Sequence, residues 1–81
     1  MGASPFIIYK WVKDNKYYKT IVHKNIFGKW TISKHWGSTI TKHGYYKSAY
    51  FDELDDALDD FYSTKKRRQA HKYKLVSSVM V

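Results

Sequence analysis

The sequence predicts a small α+β domain in which an antiparallel sheet of four to five strands packs against one helix. Three observations lead to this fold class. β-branched and aromatic residues dominate positions 6–51, in short segments that turn residues separate. Positions 52–67 instead repeat apolar residues at helical spacing. The 81 residues have room for one hydrophobic core, so we expect a single domain with its core over about 6–79 and positions 1–5 flexible.

Four strands are predicted before the helix. They cover positions 6–12, 17–24, 29–36 and 45–51. Asp14-Asn15 is expected to form the first turn and 25–28 the second, because Asn, Asp and Gly favour turn conformations. Gly37 is expected to end the third strand and to open a loop that runs to Gly44. Since turns this short join neighbouring strands in opposite directions, the four strands should form an antiparallel meander.

Strand alternation assigns side chains to the two faces of this sheet. In the third strand it places Trp30, Ile32, Lys34 and Trp36 on one face, and in the fourth it places Tyr45, Lys47, Ala49 and Phe51 together. A chain this small needs large apolar side chains in its core, so Trp30, Ile32 and Phe51 are assigned there. Trp36 stands beside a glycine at a strand end, where partial exposure is expected.

The helix is predicted over positions 52–67. Its apolar stripe consists of Leu54, Ala57, Leu58 and Phe61. Asp52 is expected to cap the first turn, with Asp55 in a box-like position three residues later. Acidic residues fill the first turns and basic residues the last, and both complement the helix dipole. After the helix, positions 73–79 alternate and could form a fifth strand or an ordered extension.

The charges of the chain are segregated. Fifteen Lys and Arg face seven acidic residues, and six of the acids lie between positions 52 and 60. Outside that stretch the only acidic residue is Asp14. Solubility alone accounts for a net charge of +8, but the asymmetry favours a polyanionic partner. The acidic cluster is interpreted as the solvated face of a helix, because metal sites usually draw ligands from several elements.

The residue types that enzymes use are sparse. Cysteine is absent, which excludes disulfides and thiolate metal sites, and no glycine-rich phosphate loop occurs. The four histidines His23, His35, His43 and His71 fit no zinc spacing, although a two-histidine metal site of His35 and His43 is conceivable. We expect no catalysis, no cofactor, no metal and no small-molecule substrate. No apolar run has membrane-spanning length and no signal peptide is evident, so a soluble intracellular protein is expected, cytoplasmic or nucleoid-associated if bacterial.

Two segments combine basic and aromatic residues. They are positions 29–37 and 42–47, and they flank the same loop, which should gather their charges at one end of the sheet. Cations of this kind contact phosphates, while flat rings stack on bases or pack on sugars. The pattern therefore favours nucleic-acid binding. The helix offers no recognition surface, because its acidic first turns would repel phosphates.

The order and spacing of several motifs resemble the WGR family, named for a Trp-Gly-Arg tripeptide. The resemblance covers about positions 15–76. The matching motifs are Asn15-Lys16-Tyr17-Tyr18, Lys29-Trp30, Trp36-Gly37, the loop to Gly44, Phe51-Asp52, the apolar helix stripe and Tyr73 after a Lys-rich helix end. In DNA-dependent poly(ADP-ribose) polymerases this module grips a DNA end. The resemblance implies an antiparallel sheet crossed by one helix, and nucleic-acid binding. We expect no polymerase or transferase domain in this sequence, so the family's catalytic context does not carry over.

The resemblance also implies roles for single residues. Trp36 would pack on a terminal sugar, and Asn15 would contact the backbone. Ser38 stands where the family has its signature arginine, the step from Trp-Gly to Gly44 is longer than usual, and Lys72 replaces the glycine before Tyr73. Lys34, Lys42, His43 and Lys47 are possible replacements for the missing charge.

The predicted function is a non-catalytic module that binds double-stranded DNA with little sequence specificity. The predicted contact residues are Asn15, Lys34, His35, Trp36, Gly37, Lys42, His43, Lys47, Arg67 and Arg68, the last two from the basic stretch 65–74. Two alternatives stay open. One is a protein-interaction adaptor that uses the basic sheet edge or the acidic helix face. The other is RNA or single-strand binding through exposed tyrosines such as Tyr45 and Tyr46.

Overall fold

The computed structural model describes residues 6–41 and 44–80, which form a five-stranded antiparallel sheet and one helix. The elements are β1 (Ile7–Lys13), β2 (Lys16–Lys24), β3 (Trp30–Ser38), β4 (Gly44–Phe51), α1 (Leu54–Ala70) and β5 (Lys74–Met80). The predicted α+β fold class is confirmed. Positions 1–5, for which flexibility is predicted, lie outside the described residues, as do Lys42 and His43.

The order of strands across the sheet is β4-β3-β2-β1-β5, and every neighbouring pair is antiparallel. The first four strands form the predicted meander. The tail is a fifth strand, the first of its two predicted alternatives, and it pairs with β1 at the edge opposite β4. α1 crosses one face of the sheet and so carries the chain from one edge to the other.

The core lies between α1 and the sheet. Trp11, Val22 and Ile32 from three adjacent strands are fully buried against Ala57 and Phe61 of the helix. The predicted apolar stripe is thus confirmed at Ala57 and Phe61, and Leu58 packs partly buried against the same cluster. Trp30 and Phe51 also pack against it, as predicted. Because a buried aromatic side chain removes a large apolar area from water, this small cluster accounts for much of the stability of the domain.

The predicted end of the third strand is wrong. Gly37 does not break β3, which continues to Ser38 because Gly37 pairs with both Tyr17 of β2 and Gly44 of β4. A glycine has no side chain to pack, but its amide and carbonyl still extend the ladder. The connection to β4 is correspondingly shorter than the predicted loop.

The predicted start of the helix is also wrong. α1 begins at Leu54, two residues after the predicted start, and Glu53 is its N-cap without a side-chain capping bond. Asp52 stands one residue before the N-cap, and its carboxylate pairs with Lys29. Asp55 and Asp56 do occupy the first turn, where their charges complement the positive end of the helix dipole.

The helix ends three residues later than predicted, in a Schellman motif. The amide of Tyr73 donates a hydrogen bond to the carbonyl of Arg68 at 2.9 Å, and the amide of Lys72 donates one to the carbonyl of Gln69 at 3.0 Å. Lys72 adopts φ 64° at the left-handed position where such motifs prefer glycine. This turn folds Tyr73 back towards Arg68. Within the described ranges, no helix is long and apolar enough to cross a membrane.

Candidate functional site

Three aromatic rings stand side by side at one end of the sheet, on the face that α1 covers elsewhere. Tyr18, Trp36 and Tyr45 are direct cross-strand partners on β2, β3 and β4. Adjacent ring centroids are 5.8 Å apart in both pairs, with interplanar angles of 14° and 17°. We call these three residues the aromatic row. Tyr45 is 64% exposed, so the row leads from the core edge into solvent.

The aromatic row lines a cavity of about 510 Å³. Lys16, Gly37 and Ser38 contribute to its lining from the strand ends, and Arg68 and Tyr73 contribute from the helix end. The volume is within the range of about 300–1,000 Å³ that small ligands occupy in proteins. The cavity therefore has room for a nucleoside-sized group beside flat rings and a cation.

The guanidinium of Arg68 lies against two aromatic rings at the cavity. It lies 4.4 Å from the ring centroid of Tyr18 and 5.0 Å from that of Tyr73. Its Nε is buried and has no hydrogen-bond partner among the described residues. Among the described residues the ion pairs join Lys29 to Asp52 and Lys34 to Asp60, so no carboxylate of the described ranges compensates Arg68. A guanidinium held by two rings and lacking a counterion is suited to an anion, above all phosphate.

The end of the sheet with the cavity is held together by the backbone. The carbonyl of Asn15, in the β1–β2 turn, accepts a hydrogen bond from the amide of Thr39 at 2.7 Å. Asp14 takes a positive φ of 52° in that turn. The Ser38 hydroxyl accepts hydrogen bonds from the amides of Ile40 and Thr41. These bonds brace the loop that follows β3 against the turn beneath it.

The structure brings three of the predicted contact residues to the cavity. They are Trp36, Gly37 and Arg68. Asn15 lies beside them in the adjacent turn, exposed, but does not line the cavity. Arg67 is exposed on the helix and outside the lining. Lys42 and His43 are not among the described residues.

Lys34 and Lys47 lie elsewhere on the helix-facing side. Lys34 Nζ is 2.9 Å from Asp60 Oδ1, and the two side chains are 19% and 27% exposed. Its charge is therefore compensated inside the domain. Lys47 is exposed and, with Lys34 and Asp60, lines a small cavity of about 90 Å³.

His35 points to the opposite face of the sheet from Trp36. Its ring lies 4.8 Å from that of Tyr46, its partner on β4. The Ser48 hydroxyl donates to the phenol oxygen of Tyr46, and hydrogen bonding from Ser48, then Ser33, lowers the pKa of Tyr46 below its ordinary value. Over the described ranges, no group of three or more His, Asp or Glu side chains is placed to hold a metal ion.

Tyr18, Tyr73 and Lys16 line the cavity but are absent from the predicted contact residues. The place of Tyr18 beside Trp36 could have been predicted from the sequence, because the register of the β2–β3 hairpin pairs the two residues. The sequence identifies Tyr73 only as a motif residue after the Lys-rich helix end, with no indication that it lies at the cavity. It reaches Arg68 only because the chain reverses at Lys72.

No protein-family model, curated protein or solved structure matches this chain. The WGR resemblance therefore rests on its sequence motifs.

Proposed function

We propose that this chain is a non-catalytic nucleic-acid-binding module that holds double-stranded DNA at an end, with little sequence specificity. The observation that carries the proposal is the aromatic row beside an uncompensated arginine in one cavity. Flat rings stack on an exposed base or pack on a terminal sugar, and the guanidinium binds the adjoining phosphate. The base or sugar of a nucleotide and its phosphate are thus bound at the same site.

The charges of the segments that border the cavity favour the binding of a polyanion. The two chain segments that contribute Lys16, Arg68 and Tyr73 to the cavity, 13–16 and 67–74, also contain the cations Lys13, Arg67, Lys72 and Lys74. Asp14 is the one acidic residue in these two segments. The acids of α1 lie at its other end, so they do not oppose phosphates at the cavity.

Two features support the resemblance to the WGR family. Trp36 lies in the cavity, where the family's tryptophan would pack on a sugar. Lys72, which stands at the family's glycine position, adopts the left-handed conformation that glycine prefers. In the proposed function Arg68 supplies from the helix end the guanidinium that Ser38 does not supply from the loop.

The test compares three labelled DNAs: a blunt-ended duplex, a closed circle and a single strand, each titrated at several salt concentrations. We expect the ended duplex to bind most tightly. Trp36→Ala should weaken its binding by about 5- to 150-fold, because stacking on an aromatic side chain contributes about 1–3 kcal/mol. Equal and weak binding of all three DNAs near physiological salt would refute the proposal.

A matched pair of arginine variants tests whether DNA binds in the cavity. Arg68→Gln and Arg67→Gln remove the same charge from adjacent helix positions, but only Arg68 lines the cavity. Arg68→Gln should reduce the slope of log affinity against log salt by about 0.9, the loss of one phosphate contact on a duplex. Arg67→Gln should change the slope less. Equal slopes in the two variants would show that DNA does not enter the cavity.

A second candidate function, a protein-interaction adaptor, is favoured by one observation at the other end of the molecule. Ile26 and Phe27 are 93% and 82% exposed at the tip of the β2–β3 hairpin. The tip is ordered by Asn25, whose Oδ1 accepts hydrogen bonds from the amides of Phe27 and Lys29 at 2.9 Å each. Exposed apolar side chains on a braced loop fit an apolar cleft in a partner protein.

The adaptor function has its own test. The double variant Ile26→Ser with Phe27→Ser should abolish capture of a partner protein while DNA affinity and thermal stability stay unchanged. If DNA binding is nonspecific and capture depends on this tip, the adaptor is the primary function. Capture that survives the double variant would exclude the tip as the docking site.

A further inference from the structure

The face of the sheet that points away from α1 carries a basic and aromatic row of its own. Lys10, Lys19, His35 and Tyr46 are direct cross-strand neighbours on β1, β2, β3 and β4. We call the side of the sheet opposite α1 the open face, and these four residues its central row. Four strands at about 4.8 Å spacing give the row a length of about 14 Å.

The open face is uniformly free of negative charge. The five strands contain no aspartate or glutamate. Lys10 is exposed and Lys19 half-buried, and neither forms an ion pair with any described residue. The face therefore presents positive charge with no internal competitor for an anion.

The same face offers flat rings to a ligand. Tyr46 is 62% exposed, and its ring lies against that of His35. Tyr50, four residues further along β4 on the same face, is 63% exposed. A cation row bordered by exposed rings is the combination that tracks a phosphate backbone while bases stack beside it.

The width of the sheet favours single-stranded over double-stranded nucleic acid as the ligand of the open face. Five strands span about 19 Å, whereas the major groove of B-DNA is about 12 Å wide and admits a helix or a two-stranded ribbon. The open face cannot enter that groove. Bases reach its rings only if they are unpaired and splayed onto the surface.

We propose that the open face is a second binding surface, for a single-stranded nucleic acid. The backbone lies along the central row, with Lys10 and Lys19 on successive phosphates, and bases stack on Tyr46. The aromatic row faces the opposite side of the sheet, so this surface does not depend on the cavity binding DNA.

The test measures fluorescence anisotropy of labelled single-stranded DNA and RNA of about 12 nucleotides, a length typical of such sites. The key variant is Lys10→Gln with Lys19→Gln. Its matched control is Lys24→Gln with Lys66→Gln, which removes the same charge from exposed lysines outside the open face. Tyr46→Ala is a second variant that leaves the charge unchanged, and circular dichroism verifies that each variant folds.

We expect the Lys10/Lys19 variant to bind the single strand at least about tenfold more weakly than the control. Its salt slope should fall by about 1.4, because each lost phosphate contact on a single strand contributes about 0.7. Tyr46→Ala should also weaken binding, whereas Trp36→Ala should leave it unchanged. A preference for RNA or for DNA identifies the natural strand and supports the proposal in either case.

Two results would overturn the proposal that the open face binds a single strand. The first is an equal loss in the open-face and control variants, which would show only a response to net charge. The second is loss of single-strand binding in Trp36→Ala with none in the Lys10/Lys19 variant, which would assign the strand to the cavity. Failure of the blunt-ended duplex to bind would refute the proposed function and leave this surface standing.

Discussion

Lys72 holds the turn that shapes the cavity wall, and replacing it with glycine should stabilise the domain. A non-glycine residue in the left-handed region costs about 1–2 kcal/mol, and Lys72 has φ 64° there. Glycine relieves that strain but adds about 0.4–1 kcal/mol of conformational entropy to the unfolded chain. The difference predicts a gain of about 0.5–1 kcal/mol for Lys72→Gly. In a domain of this size the gain corresponds to a rise in Tm of about 3–6 °C.

The assay is thermal unfolding followed by circular dichroism, with urea unfolding as a second measure. Lys66→Gly is the matched control, because it removes the same charge and introduces the same residue at an exposed position inside α1. It should cost about 1 kcal/mol, the usual effect of glycine in a helix interior. Lys72→Ala removes the charge but keeps the strain and should gain nothing. If Lys72→Gly is neutral or destabilising, the strain argument is wrong.

Three further changes test the packing and electrostatics. Phe61→Ala should cost about 3–5 kcal/mol in urea unfolding, because the side chain is fully buried between sheet and helix. Lys34→Gln leaves the half-buried Asp60 without its partner, and it should cost about 1 kcal/mol in the same assay while DNA affinity barely changes. Ser48→Ala removes the main donor to Tyr46, so the pKa of Tyr46 should rise towards its ordinary value in a titration of tyrosinate absorbance. An unchanged pKa of Tyr46 in this variant would show that the hydrogen bond from Ser48 does not lower it.

The sequence predicted the fold where local rules decide it. Turn residues at Asp14-Asn15 and near Gly28 fixed the meander, and alternation put Trp36 and His35 on opposite faces. Local rules failed where a distant residue competes. Asp52 has the chemistry of a cap, but it stands one residue before the N-cap and pairs with Lys29 of the β2–β3 loop. Gly37 has the usual profile of a strand end, yet pairing on both sides keeps it in β3.

Prediction of the candidate site was limited in the same way. Trp36, Gly37 and Arg68 were identified from motifs and charge, and they do line one cavity. The pairing of Lys34 with Asp60 depends on how α1 crosses the sheet, which neither periodicity nor composition reveals. The contact between Arg68 and Tyr73 depends equally on the reversal at the helix end.

The pairing of β1 with β5 has a consequence for the order of folding. Ile7 pairs with Met80 and Val12 with Lys74, so these contacts join opposite ends of the described chain. The β1–β4 hairpins close short loops, whereas the pairing of β5 with β1 closes a loop that contains the rest of the sheet and α1; closures of this length slow folding. We therefore expect Tyr73, which directly precedes β5, to reach the cavity late in folding. A ligand in the cavity, which Arg68 and Tyr73 line, would bind only the completed domain, and its binding energy would add to the free energy of unfolding.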